Sequence, residues 1–450
     1  MARGVKKGKQ NTISVLPEKK YPYLIPENWR WVSIDTINRY TSDTLDPSKE
    51  PQSIFELYSV PSSAYDYPEI VTGEEIGSTK QLVEKDDVLL CKINPRINRV
   101  WKVSQHTDGT LLASSEWIII RNHQISSDYL MFCFRSPYFR EYMLSNVSGV
   151  GGSLMRAQPK HVKNYPIPIP PYSEQLRIVD RIESLFAKLD EAKEMAQAVV
   201  DSFEGRKAAI LHKVFTGEST EQWRNANGIS LSSWKEMTLQ SVCSTKITDG
   251  THKTPTYCDA DEGFPFVSAK DVTTGVICWD NIKYIIPELH EELYDRLAPQ
   301  VDDVLLAKNG TTGVAAIVDT DKVFDLYVTL AVLRPDKSII MPRYLLNVIN
   351  SPVCKRQFDD HLTGIGVPNL HLRDIKQVEI PLPTLEEQSE IVLILDKLII
   401  REKQAKEAAE QALAQIDTMK KSILARAFRS ELGTNNPTDE SAEELLKEIL

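Results

Sequence analysis

Apolar residues recur at steps of three and four along two long stretches of this chain. The first seam reads Ile178, Ile182, Leu185, Leu189, Ala192, Ala196, Val199, Phe203. The second reads Ile391, Leu395, Leu398, Glu402, Ala405, Ala409, Ala412, Ile416, Met419, Ile423. That spacing follows one face of an α-helix, and its persistence over several heptads predicts a coiled coil. Each helix is expected to run about 43 residues, roughly 60 Å at 1.5 Å per residue. The mid-length alanines Ala192, Ala196, Ala405 and Ala409 would let two backbones approach closely. Two independent amphipathic helices, each packed on its own domain, are the rival expectation, disfavoured by the shared length, phase and small-residue positions. Elsewhere the pattern is shorter. Strand-like runs at 88–90, 116–120, 304–306 and 327–333 sit among turn residues, with helical spacing over 128–143 and 342–358, so mixed α+β domains are expected.

The chain is also written twice. Ile167-Pro168-Ile169-Pro170 with Glu174-Gln175 and Ile178-Val179 returns as Ile380-Pro381-Leu382-Pro383 with Glu387-Gln388 and Ile391-Val392, an offset of 213 held to Phe215 and Phe428. Upstream, Asp86-Asp87-Val88-Leu89-Leu90 with Lys92 returns as Asp302-Asp303-Val304-Leu305-Leu306 with Lys308, and Tyr129 with Ser136-Pro137 as Tyr344 with Ser351-Pro352. The expected organisation is a basic arm (1–20), a globular domain (21–171), a long helix (172–218), a linker (219–229), a second domain (230–384), a second helix (385–432) and an acidic tail (433–450). The proline runs force extended segments, and Ser173 or Glu386 then opens a helix with Glu in its first turn, favourable to the macrodipole. Gly149, Gly151, Gly152, Gly364 and Gly366 are expected in tight turns. If the helices pair antiparallel, the two domains present equivalent faces related by a pseudo-twofold axis, which suits inverted half-sites on duplex DNA.

Charge complicates a nucleic-acid role. The net charge of −10 argues against gripping a polyanion by bulk charge, so local basic patches and a partner would be needed. The arm carrying Arg3, Lys6, Lys7, Lys9, Lys19 and Lys20, and the tail carrying Asp439, Glu440, Glu443, Glu444 and Glu448, are both expected to be solvated and mobile. The six cysteines are scattered without a C-x-x-C pair, which reads as reduced thiols in a cytoplasmic protein, and the eight histidines show no ligand spacing for a metal. No apolar run of about 18 residues exists to span a membrane.

Catalytic motifs are wanting as well. Asn94-Pro95-Arg96-Ile97 lacks the second proline and the aromatic of an N-P-P-Y methyltransferase loop, and no G-x-x-x-x-G-K-[ST] loop is present for ATP. Asp302-Asp303 with Lys308 faintly suggests nuclease spacing, yet it is repeated without an added acidic residue and reads better as a buried strand flanked by a turn and a polar loop.

Taken together, the tandem plan, the doubled I-P-(I/L)-P-x-x-x-E-Q-x-x-I-V signature at 167–179 and 380–392, the long helices and Thr248-Asp249-Gly250-Thr251-His252-Lys253 resemble the specificity subunit of type I restriction–modification systems over about 21–432. The first half has Leu57-Tyr58-Ser59-Val60-Pro61 where the second has D-G-T-H, so the halves should not read the same sequence. The resemblance implies an α+β chain of two tandem target recognition domains, each followed by a long helix, with the helices pairing as an antiparallel spacer. Each domain would read one half of a bipartite double-stranded DNA site. Two methyltransferase (modification) subunits, bringing S-adenosylmethionine and adenine-N6 chemistry, would dock on the scaffold; restriction subunits would bring ATP- and Mg-dependent translocation and cleavage. This chain itself would be non-catalytic, a component of defence against foreign DNA.

Candidate DNA contacts follow the repeated strands. They are Lys92, Asn94, Arg96, Asn98, Arg99 and Arg156 in the first domain, and Thr248, Asp249, His252, Lys253, Lys308, Asn309, Thr311 and Thr312 in the second. Arginine and lysine suit guanine edges or phosphates, and asparagine suits adenine. The rival from another class is a coiled-coil adaptor joining two protein-binding domains, which the acidic balance fits equally well.

Overall fold

The computed structural model describes residues 22–145, 147–148, 155–272, 275–362 and 369–449. The basic arm and the five loop glycines of the repeat lie outside them. The chain forms two compact units, Met1–Ala196 with Gln411–Leu450, and Gln197–Glu410, so each unit joins one globular domain to parts of both long helices. Among the described residues no helix is long and apolar enough to cross a membrane.

In the first unit a five-stranded sheet holds Ile54–Tyr58 beside Thr110–Ala113 in parallel, and a three-stranded antiparallel sheet centres on Val88–Cys91, flanked by Val100–Lys102 and Trp117–Ile120. The second unit centres on Val304–Ala307 between Ala315–Ile317 and Leu330–Leu333, with a second four-stranded sheet around Phe264–Val267 and Lys283–Ile285. Val88–Cys91 and Val304–Ala307 are buried at every position, as continuous apolar runs in central strands should be.

The aspartates ahead of those strands are structural. Asp86 and Asp302 take left-handed φ values of 71° and 77°. Asp87 and Asp303 are buried and accept from both sides of a guanidinium, Arg121 at 2.7 and 2.7 Å and Arg334 at 2.8 and 2.8 Å. The fork engages both oxygens of each carboxylate and pins the strand start to the guanidinium.

Each proline run is a strand. Pro166–Ile169 pairs antiparallel with Arg30–Ser33, and Glu379–Leu382 with Lys235–Thr238. The prolines fall on alternate positions of two-stranded ribbons, so the N–H groups they lack lie on the unpaired edge. The carbonyls on that edge are met by phenols: Tyr129 Oη donates to Pro168 O at 2.7 Å, and Tyr344 Oη to Pro381 O at 2.6 Å.

Four expectations are corrected. The helical stretches at 128–143 and 342–358 are each two helices, Ser127–Arg135 with Pro137–Ser145 and Pro342–Ile349 with Pro352–Asp360. The prolines push Ser136 and Ser351 into the extended region, ψ 148° and 162°, which breaks the helix. The first long helix is Tyr172–Asp201 and Phe203–Phe215, interrupted at Ser202, whose hydroxyl donates back to the Ala198 carbonyl; the second, Leu385–Ala427, is continuous over 43 residues. The expected linker contains the helix Glu221–Asn227, anchored through buried Arg224. The expected mobile tail is packed down: Ala442–Ile449 is a helix that buries Ala442, Leu446 and Ile449 in the core of the first unit.

The pairing of the long helices is antiparallel within each unit. In the first, Ile178 and Ile182 share a core with Leu424, Ala427 and Phe428, while Lys420 pairs with Asp190 at 2.5 Å and covers the Phe186 ring. In the second, Ile391 and Leu395 pack with Leu211, Val214 and Phe215, Arg206 meets Glu402 at 2.7 Å, and Lys406 covers buried Phe203. Numbers climb on one helix as they fall on the other. Ala409 and Ile416 are buried, and Leu185, Leu189, Ala192, Ala196, Leu398 and Ile423 half-buried. Ala405, placed on the seam from sequence, is exposed, as are Ala412 and Met419: the real stripe runs through 402, 406, 409, 413 and 416.

Candidate nucleic-acid interface

At the start of each long helix the doubled E-Q pair builds a buried joint. Glu174 and Gln175, like Glu387 and Gln388, have no exposed surface. Trp29 Nε1 donates to Glu174 Oε2 at 2.8 Å, and Trp234 Nε1 to Glu387 Oε2 at 2.8 Å. The glutamines clasp strand to helix. Gln175 accepts from Ser126 N at 2.9 Å and donates to Pro170 O at 3.0 Å; Gln388 accepts from Met341 N at 2.8 Å and donates to Pro383 O at 3.0 Å. The signature therefore welds a domain's first strand, its last strand and one helix pair to a spacer helix. The macrodipole argument made from sequence misses this: these glutamates serve the joint.

The third partner comes from the segment after the other spacer helix. Asn435 Nδ2 donates to Glu174 Oε2 at 2.8 Å. Thr220 Oγ1 and Arg224 Nη1 each donate to Glu387 Oε1 at 2.7 Å. Gly217, at φ 82°, offers its carbonyl to Arg224 Nη2 at 2.6 Å, and a Cβ there would strike Leu231 Cδ1 at 2.5 Å. Burial pushes the Glu174 carboxyl above its ordinary value, against the downward pull of the Trp29 and Asn435 hydrogen bonds.

The candidate DNA-contacting loops leave these frames at equivalent points. In the first unit, 92–99 follows the buried strand and lies beside Arg156–Ala157: Ala157 N donates to Lys92 O at 2.8 Å, and Ile93 bridges to Arg156. In the second, 308–314 lies beside Asn369, with Leu370 N donating to Lys308 O at 2.8 Å and Asn309 bridging to Asn369. Each loop turns through two left-handed residues, Asn94 (46°) and Asn98 (52°) in one, Gly310 (74°) and Gly313 (81°) in the other. Asparagine and glycine are the residues that tolerate this region.

Of the sequence candidates, the first loop brings Lys92, Asn94, Arg96, Asn98, Arg99 and Arg156 together. Arg96 is exposed, whereas Asn98 is spent inward, its Nδ2 donating to Phe134 O at 3.2 Å. Arg156 is half-exposed and meets Glu116 at 3.1 Å. In the second unit Thr311 is exposed and Asn309 and Thr312 half-buried. Lys308 is not free: it pairs with buried Asp249 at 2.8 Å. Within D-G-T-H, Asp249 holds that lysine, and a Cβ on Gly250 would lie 2.1 Å from the Leu326 carbonyl oxygen. Thr251 N donates to Leu326 O at 2.9 Å. Thr248 precedes them in the short strand Thr248–Asp249. Only His252 and Lys253 reach outward, and Lys253 is tied to Glu292. The motif is a strand lock with an exposed tip.

Sequence reasoning missed two surfaces. Asn309 and Thr311 line an open pocket of about 460 Å³ whose walls include Tyr257, Phe266, Tyr327 and Lys283. On the first unit, the back of the 92–99 loop forms a groove with Arg135, Arg140 and Lys421. Neither lies within a repeated motif; the only signal available was that Arg135 stands where the repeat has Asn350.

With this geometry in view, the likeness to known proteins is specific. Residues 232–411 match the family model described as type I restriction modification DNA specificity domain. Among curated proteins, the chain is 24% identical over 314 residues to the type I restriction enzyme EcoBI specificity subunit of Escherichia coli, covering 66% of each chain. It is 26% identical over 320 residues to the EcoKI specificity subunit of Escherichia coli (strain K12), covering 68% of this chain and 66% of that one. These matches span just under two thirds of those relatives' length. The MjaVIII specificity subunit of Methanocaldococcus jannaschii is 22% identical over 406 residues, 87% of this chain and 92% of that one. The crystal structure of the HsdS subunit from Thermoanaerobacter tengcongensis shares the fold, with a TM-score of 0.69 and 23% identity over 91% of this chain and 99% of that one. Residues 232–411 thus match a type I restriction modification DNA specificity domain, and the chain as a whole is similar to type I restriction–modification specificity subunits.

Proposed function

We propose that this chain is the DNA sequence-specificity subunit of a type I restriction–modification complex. Each globular domain reads one half of a bipartite duplex site through the loop that follows its central strand. The antiparallel helices set the gap between half-sites and seat two methyltransferase subunits. Methyl transfer with S-adenosylmethionine, and translocation and cleavage with ATP and Mg, belong to those partners and to restriction subunits. The observation carrying this reading is a frame whose tryptophan, glutamine and tyrosine bonds recur in both units, each bearing a loop with two left-handed residues and different side chains. That is what a reader of two unlike half-sites requires, since base-edge contacts specify sequence while the frame only positions them.

The decisive experiment expresses the chain with its methyltransferase partner and maps N6-methyladenine in cellular DNA. Replacing 21–171 by another such domain should change one half of the methylated site and leave the other. Arg96→Ala should cost roughly 1–3 kcal/mol at one position of one half-site, with no loss of folding. Methylation that ignores both changes would sink the reading.

A further inference from the structure

The first unit carries an open groove of about 590 Å³ lined by Arg99, Arg135, Arg140 and Lys421, with Glu141 as its one carboxylate. Among the described residues none of these five groups is in an ion pair within 4 Å. The lining also includes Ile97 and Asn98 of the candidate reading loop, and Arg140 donates to the Arg96 carbonyl, so the groove is continuous with that loop.

The repeat keeps only part of this charge, with Lys355 and Arg356 at the positions of Arg140 and Glu141 and no cation at the other three. Asn350 stands at the position of Arg135 and closes its own joint, accepting from Ala315 N at 2.9 Å and donating to Ala315 O at 3.0 Å. Arg135 makes the matching bond with one donor, Nη2 to Val100 O at 2.8 Å, where an asparagine would suffice. The rest of its fork remains in the groove. The Nε of Arg140 is buried without a hydrogen-bond partner, as is the Oδ1 of Asn98. Position 421 carries lysine where the repeat has Ala208, and position 99 carries arginine where the repeat has the Gly313-Val314 step. Burial pushes the Arg135 guanidinium below its ordinary value, the mark of a cation desolvated ahead of its counter-ion.

We propose that this groove is a phosphate clamp: it holds the sugar–phosphate backbone of duplex DNA beside the half-site read by 92–99, and the second domain lacks the cations at the positions of Arg99, Arg135 and Lys421. The inference rests on the specificity reading above and adds an asymmetry to it. Guanidinium forks match phosphate geometry, and contacts next to a base-reading loop fix its register without carrying sequence information. The first domain is then held to the backbone beside its reading loop more strongly than the second.

The test uses the full chain assembled with its methyltransferase partner and two duplexes, one bearing the methylated site and one unrelated, titrated from low to moderate salt. The variants are Lys421→Ala, on an exposed helix face, and Arg135→Asn with Arg140→Gln, the first borrowing the residue the repeat itself uses. Unchanged melting midpoints establish that they fold. Each phosphate contact removed should reduce the slope of log affinity against log salt by about 0.9, on both duplexes alike. Several-fold weaker binding at low salt should accompany this, with the methylated sequence unchanged. Wild-type slopes in the variants would overturn the clamp while leaving the specificity reading intact. A wild-type chain that, even assembled with its methyltransferase partner, binds neither duplex would overturn both. Loss of a protein partner with DNA slopes preserved would reassign the groove to an acidic protein surface and overturn the proposal.

Discussion

In the first half of the molecule the buried carboxylate of Glu174 is held by an indole, an amide and, at 3.5 Å, a hydroxyl; in the second, Glu387 is held by an indole, a hydroxyl and a guanidinium. The tryptophan, the glutamine clasp and the tyrosine-to-proline bond are the same in both. What differs is the segment arriving from beyond the other spacer helix. The strand-to-helix weld is the same in both copies and fixes where each domain joins its helix. The closing segment needs only to bring donors to a carboxylate, and beside a threonine hydroxyl in each half it brings an amide in the first and a guanidinium in the second. Charge divides the halves further: Arg224 and Glu387 form a nearly dry ion pair, 6% and 0% exposed, while Glu174 has no buried cation beside it.

That contrast is broken most forcefully at Glu387. Glu387→Ala strands the Arg224 guanidinium inside the second unit and should cost about 3–5 kcal/mol of unfolding free energy, because the surviving charge keeps its desolvation penalty. Glu174→Ala strands only neutral donors and should cost about 1–3 kcal/mol. Urea denaturation of the two full-length variants makes the comparison. Equal losses, or the larger loss at Glu174, would show that the ion pair is incidental to the second joint.

The tail gives the next largest effect. Ending the chain after Leu432 removes Asn435 from Glu174 and takes the Leu446 and Ile449 side chains out of the core. It also removes Glu443 from Arg30. Burial of two large aliphatic side chains stabilises by roughly 3–5 kcal/mol together, so the first unit should lose most of that while the second melts unchanged. A truncated chain with wild-type unfolding would mean that the tail merely rests on the surface.

This tail also shows where the sequence could not be read. Periodicity found the two long helices, the repeat and the central strands because each rests on a local pattern or a direct duplication. Acidic residues at 439–448 looked like a solvated run, yet Ala442, Leu446 and Ile449 form an apolar stripe one helix face wide, which only a docked helix explains. Glu174 and Glu387 were visible as a repeated pair, but their burial depends on Trp29 and Trp234, about 150 residues upstream, and no spacing rule links them. The mid-helix alanines show the opposite error: Ala405 fits a heptad on paper and faces solvent, because the stripe drifts where Arg206 and Glu402 cross it. The candidate loops could be placed from sequence because they follow a duplicated strand, and the structure puts 92–99 and 308–314 at equivalent points of the two units. The sequence had no means of telling Lys308, which is paired inward, from Arg96, which is exposed.

The smallest expected effect is electrostatic and has a sign. At the tail joint Arg177 donates to Asp439 and holds its carboxyl below the ordinary 3.8, so the pair stabilises the docked tail above about pH 4 and loses that contribution as pH falls through the lowered value. Glu174 beside it behaves oppositely. Burial raises its carboxyl above the ordinary 4.5, so its contribution is complete below 4.5 and declines as pH rises through the raised value. Melting midpoints of wild type, Asp439→Asn and Glu174→Gln, taken between about pH 3.5 and pH 7, separate the two. The deficit of Asp439→Asn should narrow toward acid and that of Glu174→Gln toward neutrality. Differences that move together with pH would show that the two carboxylates titrate as one site, and that the joint in the first half is not the neutral counterpart of the ion-paired joint in the second.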